Sequence, residues 1–318
     1  MEDLRFYDYE FNLRHIEPLA ESVNWQMYYN GIGQFEAYFS YDSDVVALLT
    51  SEPYLVVVQG ERQALITGFC AGKNFAVFGR TVNWLLQKRL VAPFESCTGK
   101  AEELARGWVQ TAFSDVENFV CEESGEIAEE ITISQDIYKP LSEVLTNALS
   151  GVHLGHDLIF DVLGKCWRYQ TKKGKERLLT VSEDEHNAYD TSASFDFLDL
   201  SNSGWFEEKV NGESEWRFVD NGEKTGIYRW ESILNAQTDE EALSELSKSE
   251  KGVGLTAKMS GLQYRSDYEL GDVVTVKIAK GALLETAKMR IIGIHLWYEE
   301  GLCGEQPMME EVEDELRI

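Results

Sequence analysis

The chain has 318 residues, enough for two or more domains with a sizeable core. Apolar residues make up 43% and aromatics 12%, which describes a folded protein, and 29 Lys+Arg against 56 Asp+Glu leave a net charge of −27. That charge repels phosphate backbones and anionic bilayers, so nucleic-acid binding and membrane-surface association are excluded as primary functions.

In chain order, residues 1–93 read as β-rich with one helix at the end. Gln34 to Phe39 alternates, with Phe35, Ala37 and Phe39 on one side. Tyr54 to Val58 and Ala64 to Phe69 flank a Gln-Gly-Glu-Arg turn, and Asn74 to Phe78 is a further short strand. Arg80 to Leu90 has helical spacing, with Val82, Leu85, Leu86 and Leu90 on one face and Lys88 and Arg89 near its C-terminal end. Residues 94–156 read as a helical segment. Ala101, Leu104, Ala105, Trp108 and Val109 follow i, i+3, i+4, i+7, i+8. Pro140 opens a second helix, faced by Leu141, Val144, Leu145 and Leu149 and ended by Gly151. An acidic loop, Cys121 to Glu130, lies between them.

Residues 157–235 return to strands, at Leu158 to Val162, Cys166 to Gln170, Arg177 to Val181, Phe195 to Leu198, Trp216 to Val219 and Gly226 to Trp230. Lys172-Lys173-Gly174-Lys175 reads as a hairpin tip, and Asn211-Gly212 and Asn221-Gly222 as turns. Residues 236–318 begin with a helix at Thr238 to Leu246, opened by a Thr238-x-x-Glu241 capping box. An antiparallel hairpin closes the domain, Val273 to Lys277 and Met289 to Trp297 about a loop at Gly281. At its entrance, Gly271 is free to take a positive φ and Asp272 can bond downstream backbone. The run Glu310 to Glu315 reads as a solvated tail.

Five cysteines (Cys70, Cys97, Cys121, Cys166, Cys303) form no C-x-x-C pair, as expected of a reducing compartment without a disulfide framework. The N-terminus lacks the basic and apolar regions of a signal peptide. No apolar run approaches the ~18 residues that would anchor a helix in a bilayer.

Chemical motifs are sparse. Gly31-Ile32-Gly33 fails as a dinucleotide fingerprint because Glu36 stands where the third glycine belongs and a strand follows. His153-Leu154-Gly155-His156-Asp157 offers two imidazoles and a carboxylate, which suit a transition metal, but Gly155 breaks helical spacing, and a solvated loop is the simpler reading. There is no H-E-x-x-H, no G-x-S-x-G and no cysteine-nucleophile signature. Trp84, Trp108 and Trp167 sit on patterned faces and read as core. The expectation is a non-enzyme without a cofactor.

Four segments carry a resemblance: Tyr29-Asn30-Gly31-Ile32-Gly33-Gln34-Phe35-Glu36-Ala37, Gly79-Arg80-Thr81-Val82-Asn83-Trp84-Leu85-Leu86-Gln87-Lys88-Arg89-Leu90-Val91, Tyr228-Arg229-Trp230-Glu231, and Tyr264 to Val276. In order and spacing they resemble the siphovirus-type tail protein family of phages and prophages, whose blocks read Gly-x-Phe-Glu, Gly-Arg-x-Leu-x-x-Leu-Leu-x-x-Arg-Ile-Val, Tyr-Arg-Arg-Glu and Tyr-x-x-Asp-Tyr-x-Leu-Gly-Asp-x-Val-Thr-Val. The positions that match are Tyr29, Asn30, Gly33, Phe35, Gly79, Arg80, Arg89, Asp267, Tyr268, Gly271, Asp272 and Val274. An Asp-Arg-Thr strand frequent in the family's middle region has no counterpart here.

The resemblance implies a tail hub, or baseplate hub, trimeric, with two barrels per chain completing a pseudo-hexameric ring on the tail tube. The expected fold is therefore α+β and β-rich: two tail-tube-like β-barrel domains (1–93 and within 236–318), an intervening helical segment (94–156) and a mixed middle region (157–235). Implied partners are two further copies, a distal tail or tail tube protein, a tape measure protein and tail tip or fibre proteins. The implied place is the virion tail, assembled in the bacterial cytoplasm. The acidity suits a channel that passes DNA without gripping it. The rival expectations are a tail-associated cell-wall hydrolase and a host-receptor binding module. At the corner itself, Gly271→Val is expected to destabilise by on the order of 1–3 kcal/mol.

Overall fold

The computed structural model describes residues 2–18, 20–123, 127–196, 200–210, 213–222, 225–236, 238–239, 242–243, 246, 252–299 and 301–312. The chain divides into two compact units: Met1–Val181 with Lys258–Thr275 and Lys288–Ile318, and Ser182–Ala257 with Val276–Ala287.

The first unit is built on one long sheet. Its strands in chain order begin β1 (Leu4–Asp8), β2 (Leu13–Glu17), β3 (Ser22–Tyr28) and β4 (Gln34–Phe39). Helix α1 (Asp44–Ser51) intervenes, capped by the Ser43 hydroxyl, which accepts from Val45 N at 3.2 Å. Then come β5 (Leu55–Gln59), β6 (Arg62–Ala71) and β7 (Phe75–Thr81). After a single turn of helix, α2 (Trp84–Gln87), follow β8 (Leu90–Val91), β9 (Phe94–Lys100), α3 (Ala101–Ala112), β10 (Phe119–Cys121), β11 (Glu130–Gln135), β12 (Lys139–Pro140), α4 (Leu141–Ser150), β13 (Leu154–Asp161), β14 (Cys166–Lys173) and β15 (Glu176–Val181).

The second unit contains β16 (Ala188–Asp196), β17 (Ser203–Val210), β18 (Glu213–Asp220), β19 (Glu231–Ile233) and most of β20 (Gly252–Met259). Two later strands, β21 (Val273–Lys280) and β22 (Leu283–Glu299), have residues in both units, and β23 (Leu302–Glu311) returns to the first.

The long sheet runs β15-β21-β22-β3-β4-β7-β6-β5-β1-β2, with β23 also on β22. It is an open path, and no closed barrel is found among the described residues. One face buries Leu4, Phe6, Trp25, Phe35, Phe39, Val57, Ile66 and Val77. The other side of the same strands presents Tyr7, Val56, Val58 and Leu65 to a second core made by α3, α4, β13 and β14. This is why every residue of β5 is buried and its sequence reads as an unbroken apolar run. Glu102 and Glu103 favour the α3 N-terminus, and Ala101, Ala105 and Val109 form its buried stripe.

Strands expected at Gln34–Phe39, in the 54–69 hairpin and at Asn74–Phe78 are present, as are both predicted long helices and the β21–β22 hairpin, turning at Gly281 with φ 63°. Several expectations are corrected. The Arg80–Leu90 segment is not a helix: β4 pairs with β7 through Thr81's neighbours Gly79 and Arg80, leaving one helical turn before β8. The 94–156 segment holds β9 to β12 as well as its helices. Lys172–Lys175 is not a hairpin tip, because β14 pairs with β13 and β10 whereas β15 joins β21. Gly226–Tyr228 is a 3-10 turn rather than a strand. Glu310 and Glu311 belong to β23 rather than a loose tail. The 241 end of the capping box, the Asn211-Gly212 turn and residues 313–315 lie outside the described residues.

Candidate functional site

The family-like segments at Tyr29 and at Gly271 meet in the first unit. Tyr29 directly follows β3. Its N–H donates to Ile292 O (2.8 Å) and its C=O accepts from His156 N (3.3 Å). Its hydroxyl accepts from Gly174 N (3.0 Å) and donates to Lys172 O (2.9 Å), with His153 O at 3.2 Å. One residue thus ties the end of β3 to β13, β14 and the β14–β15 link. Burial pushes the Tyr29 phenol up from its ordinary range, with the Gly174 bond opposing.

Three glycines let the backbone close on that ring. A Cβ on Gly271 would lie 2.1 Å from Tyr29 Cε2, and one on Gly155 would lie 2.5 Å from it. A Cβ on Gly174 would fall 1.7 Å from Gly271 O. Gly271 alone of the three also has a positive φ, 92°.

Asp272 fixes the corner. Its carboxylate is 2% exposed. Oδ1 accepts from Lys175 N (2.9 Å), and Oδ2 accepts from Glu269 N (2.9 Å) and Arg177 Nε (2.6 Å). Gly271 N donates to Ile291 O (2.7 Å), Ile291 N to Asp272 O (2.9 Å) and Arg290 Nη1 to Gly271 O (2.8 Å). The buried charge is therefore both paired and hydrogen-bonded, the condition under which burial is tolerated.

The remaining motif residues surround this junction or stand apart from it. Asn30 Nδ2 donates to Thr146 O (3.2 Å) and Ser150 Oγ (3.0 Å), fastening the C-terminal turn of α4. Gly33 N donates to Thr81 Oγ1 (2.7 Å). Phe35 packs tilted against Trp25, centroids 4.6 Å apart, and lies opposite Gly79, where a Cβ would fall 2.8 Å from Leu65 O. Arg80 is opposite Gln34. Arg89 belongs to another cluster, donating to both Asp115 carboxylate oxygens (3.0 Å) over the Phe113 ring. Tyr268 is buried and donates to Glu305 Oε1 (2.9 Å), and burial and that carboxylate raise its pKa. Asp267 Oδ2 accepts from Gln263 N (2.7 Å), and Val274 is buried in β21.

Residues that no motif flagged complete the structure. The edge of β13 not paired to β14 is closed by side-chain amides. Asn83 Oδ1 accepts from Leu158 N (2.6 Å), and Asn83 Nδ2 donates to Gly31 O (2.9 Å) and His156 O (3.4 Å). Gln63 accepts from Phe160 N (2.7 Å) and donates to Phe160 O (2.9 Å). Nothing in the sequence distinguishes these two amides, because their role depends on where β13 arrives.

His156 is not in a solvated loop: it lies on β13, 1% exposed, and burial together with Lys172 pushes its pKa down to about 3. Among the described residues no cluster of three or more His, Cys, Asp or Glu could hold a metal ion. A groove of about 850 Å³ runs past Asp157, Lys172, Arg62 and Arg265. Three pairs of its charges are matched, Lys172 with Asp157 (2.5 Å), Arg62 with Glu2 (3.3 Å) and Arg265 with Glu61. Tyr29 and Asp272 hold strands together through bonds to backbone, while the buried Asn30 Oδ1 and His156 Nδ1 have no hydrogen-bond partner among the described residues.

No family model matches the chain, and no curated protein matches it in sequence. Among solved structures it is similar to a tail protein from Neisseria meningitidis MC58, with a TM-score of 0.62, 13% identity and coverage of 98% of this chain and 96% of the other. It is also similar to prophage tail protein gp18 from Listeria monocytogenes EGD-e (0.59, 11%, 98% and 95%). A third is the 43 kDa tail protein of prophage MuSo2 from Shewanella oneidensis (0.55, 12%, 98% and 98%). The chain therefore has the β-rich fold of these tail proteins along nearly its whole length. None of its described helices is long and apolar enough to cross a membrane.

Proposed function

We propose that this chain is a structural tail protein of a phage, prophage or phage-derived particle, and within that class the hub that joins the tail tube to the tail tip. The observation that carries the reading is the end-to-end likeness in fold to three tail proteins, each matched over at least 95% of its own length. In support, the family-like segments at Tyr29 and Gly271 converge on one junction whose groups serve the backbone rather than a substrate.

In this reading the hub is a homotrimer. The long sheet ends at β2 and β15, and open sheet edges are suited to being covered by a neighbouring copy. Two barrel-like domains from each of three chains then make a pseudo-hexameric ring. Its partners are the distal tail or tail tube protein and the tape measure protein on one side, and tip or fibre proteins on the other. Tyr29, Gly271 and Asp272 act as positioning residues for the barrel, and the role is non-enzymatic. A lumen lined by copies of a −27 chain lets DNA pass without adhesion.

A map of the assembled particle tests this. Three copies around the axis at the tail tip are expected, with interfaces burying roughly 2,000 Å² or more. Six copies, or a position away from the tip, would refute the hub assignment.

A further inference from the structure

The second unit presents an uncovered aromatic face. In the sheet β18-β17-β19, Phe206, Val219 and Leu234 pack with Ala242 and Leu246 on one side. The register puts Trp205 opposite both Phe218 and Ile233, and Trp216 opposite Glu207. Alternation places all five on the other side. There Trp216 is 56% exposed, Trp205 42% and Ile233 79%. Tyr228 and Trp230, just before β19, are also exposed, and their carbonyls accept from Asn202.

We propose that this face docks a segment of a partner protein that carries apolar side chains flanked by lysine or arginine. The proposal stands apart from the tail-hub reading. Tryptophans dominate the energetics of protein interfaces when covered, and contiguous exposed apolar patches mark interaction sites. Trp205 is already ordered: its indole N–H donates to Glu231 (3.2 Å), and its ring packs 5.1 Å from that of Phe218. A partner therefore loses little of its binding energy to ordering that ring.

Charge selects the occupant. Among the described side chains of this side the carboxylates are Glu207, Asp220 and Glu231, and the cation is Arg229, which stacks on Phe218 and is paired to Glu231 at 2.5 Å. Among the described residues no cation pairs with Glu207, or with Asp220, which accepts from Gly222 N (2.9 Å), and both carboxylates face a cationic partner. A second copy of this chain would bring the same carboxylates toward their like, within molecules of charge −27.

The test is a titration of the full chain with a labelled 12-residue peptide alternating Leu and Lys, followed by anisotropy. Its Leu/Glu and Ser/Lys counterparts, soluble cell-wall glycan fragments and the chain's own mass in solution are measured in parallel. The Leu/Lys peptide is expected to bind, and Trp216→Ala and Glu207→Lys are each expected to weaken it about tenfold or more. Both side chains are exposed, so both variants should melt as wild type does, and each stands as the test should the other misfold. The Ser/Lys peptide should bind at least about tenfold more weakly. The proposal is overturned by any of five results: no binding, equal binding of the Leu/Glu peptide, binding indifferent to Trp216→Ala and Glu207→Lys, Trp216-dependent binding of the glycan instead, or self-association that Trp216→Ala abolishes.

Discussion

The ring of Tyr29 fills the space that a side chain on Gly271 would need, with Cε2 2.1 Å from the position of such a Cβ. Two residues far apart in the chain are thereby made mutually exclusive in size. A glycine is required at 271 for two separate reasons, the φ of 92° and the aromatic ring against it.

Gly271→Ala should therefore cost roughly 2–5 kcal/mol, the sum of backbone strain and overpacking. In a Tyr29→Ala background only the backbone part should remain. Chemical denaturation of the four proteins of that cycle checks it, and equal costs in both backgrounds would mean that the ring does not limit the position.

Asp272→Asn removes the charge that pairs with Arg177 and puts an NH2 group among backbone donors. The expected loss is about 2–4 kcal/mol, because one buried partner is left unpaired. Arg177→Met should also destabilise, through Asp272, but by less, since Arg177 is one-third exposed and water can replace it in part. Melting curves at pH 7 compare the two, and the reverse order would contradict the assignment of Asp272 as the anchor.

Gln63→Leu leaves Phe160 N–H and C=O without their amide partner, and Asn83→Leu does the same to Leu158 N–H and Gly31 O. Each should cost on the order of 1–3 kcal/mol. Hydrogen exchange should localise the effect: Phe160 N–H should lose protection in the first variant and Leu158 N–H in the second. Unchanged exchange at those amides would show that β13 is held by other bonds.

His156 carries a pH dependence. Its folded pKa, about 3, lies below the ordinary histidine value of 6.5, so the unfolded chain binds the extra proton first. Full stability is present above pH 6.5 and is lost as pH falls toward 3, at about 1.4 kcal/mol per pH unit for this one group. His156→Gln should flatten that acid limb by about one proton over the same window. Stability measured from pH 7 to pH 4 decides it, and an identical slope in the variant would mean that His156 is solvated or paired when charged.

Much of the local structure is legible in the sequence. Alternation marks Gln34–Phe39, helical spacing marks Ala101–Ala112 and Leu141–Ser150, and the turn at Gly281 marks the late hairpin. These signals work because period 2 and period 3.6 are set by the backbone within a few residues. The acidic composition, too, constrains partners without any coordinates. The motif at Gly271-Asp272 announces a tight corner through glycine's access to positive φ.

Partner choice was decided only by tertiary structure. Arg80 to Leu90 has a helical pattern, yet Gly79 and Arg80 are drawn into the sheet by β4, whose hydrogen bonds outweigh a short helix that is costly to nucleate. The Lys172–Lys175 segment looks like a hairpin, but Gly174 instead passes beneath Gly271 and donates to a tyrosine 145 residues away. The amides of Gln63 and Asn83 gain their role because β13 arrives beside them. His156 looks like a surface ligand and is interior because it shares the buried face of its strand with Leu158 and Phe160. Local periodicity is encoded residue by residue, whereas these outcomes depend on which distant segment wins a shared edge, and that is settled by packing of the whole unit.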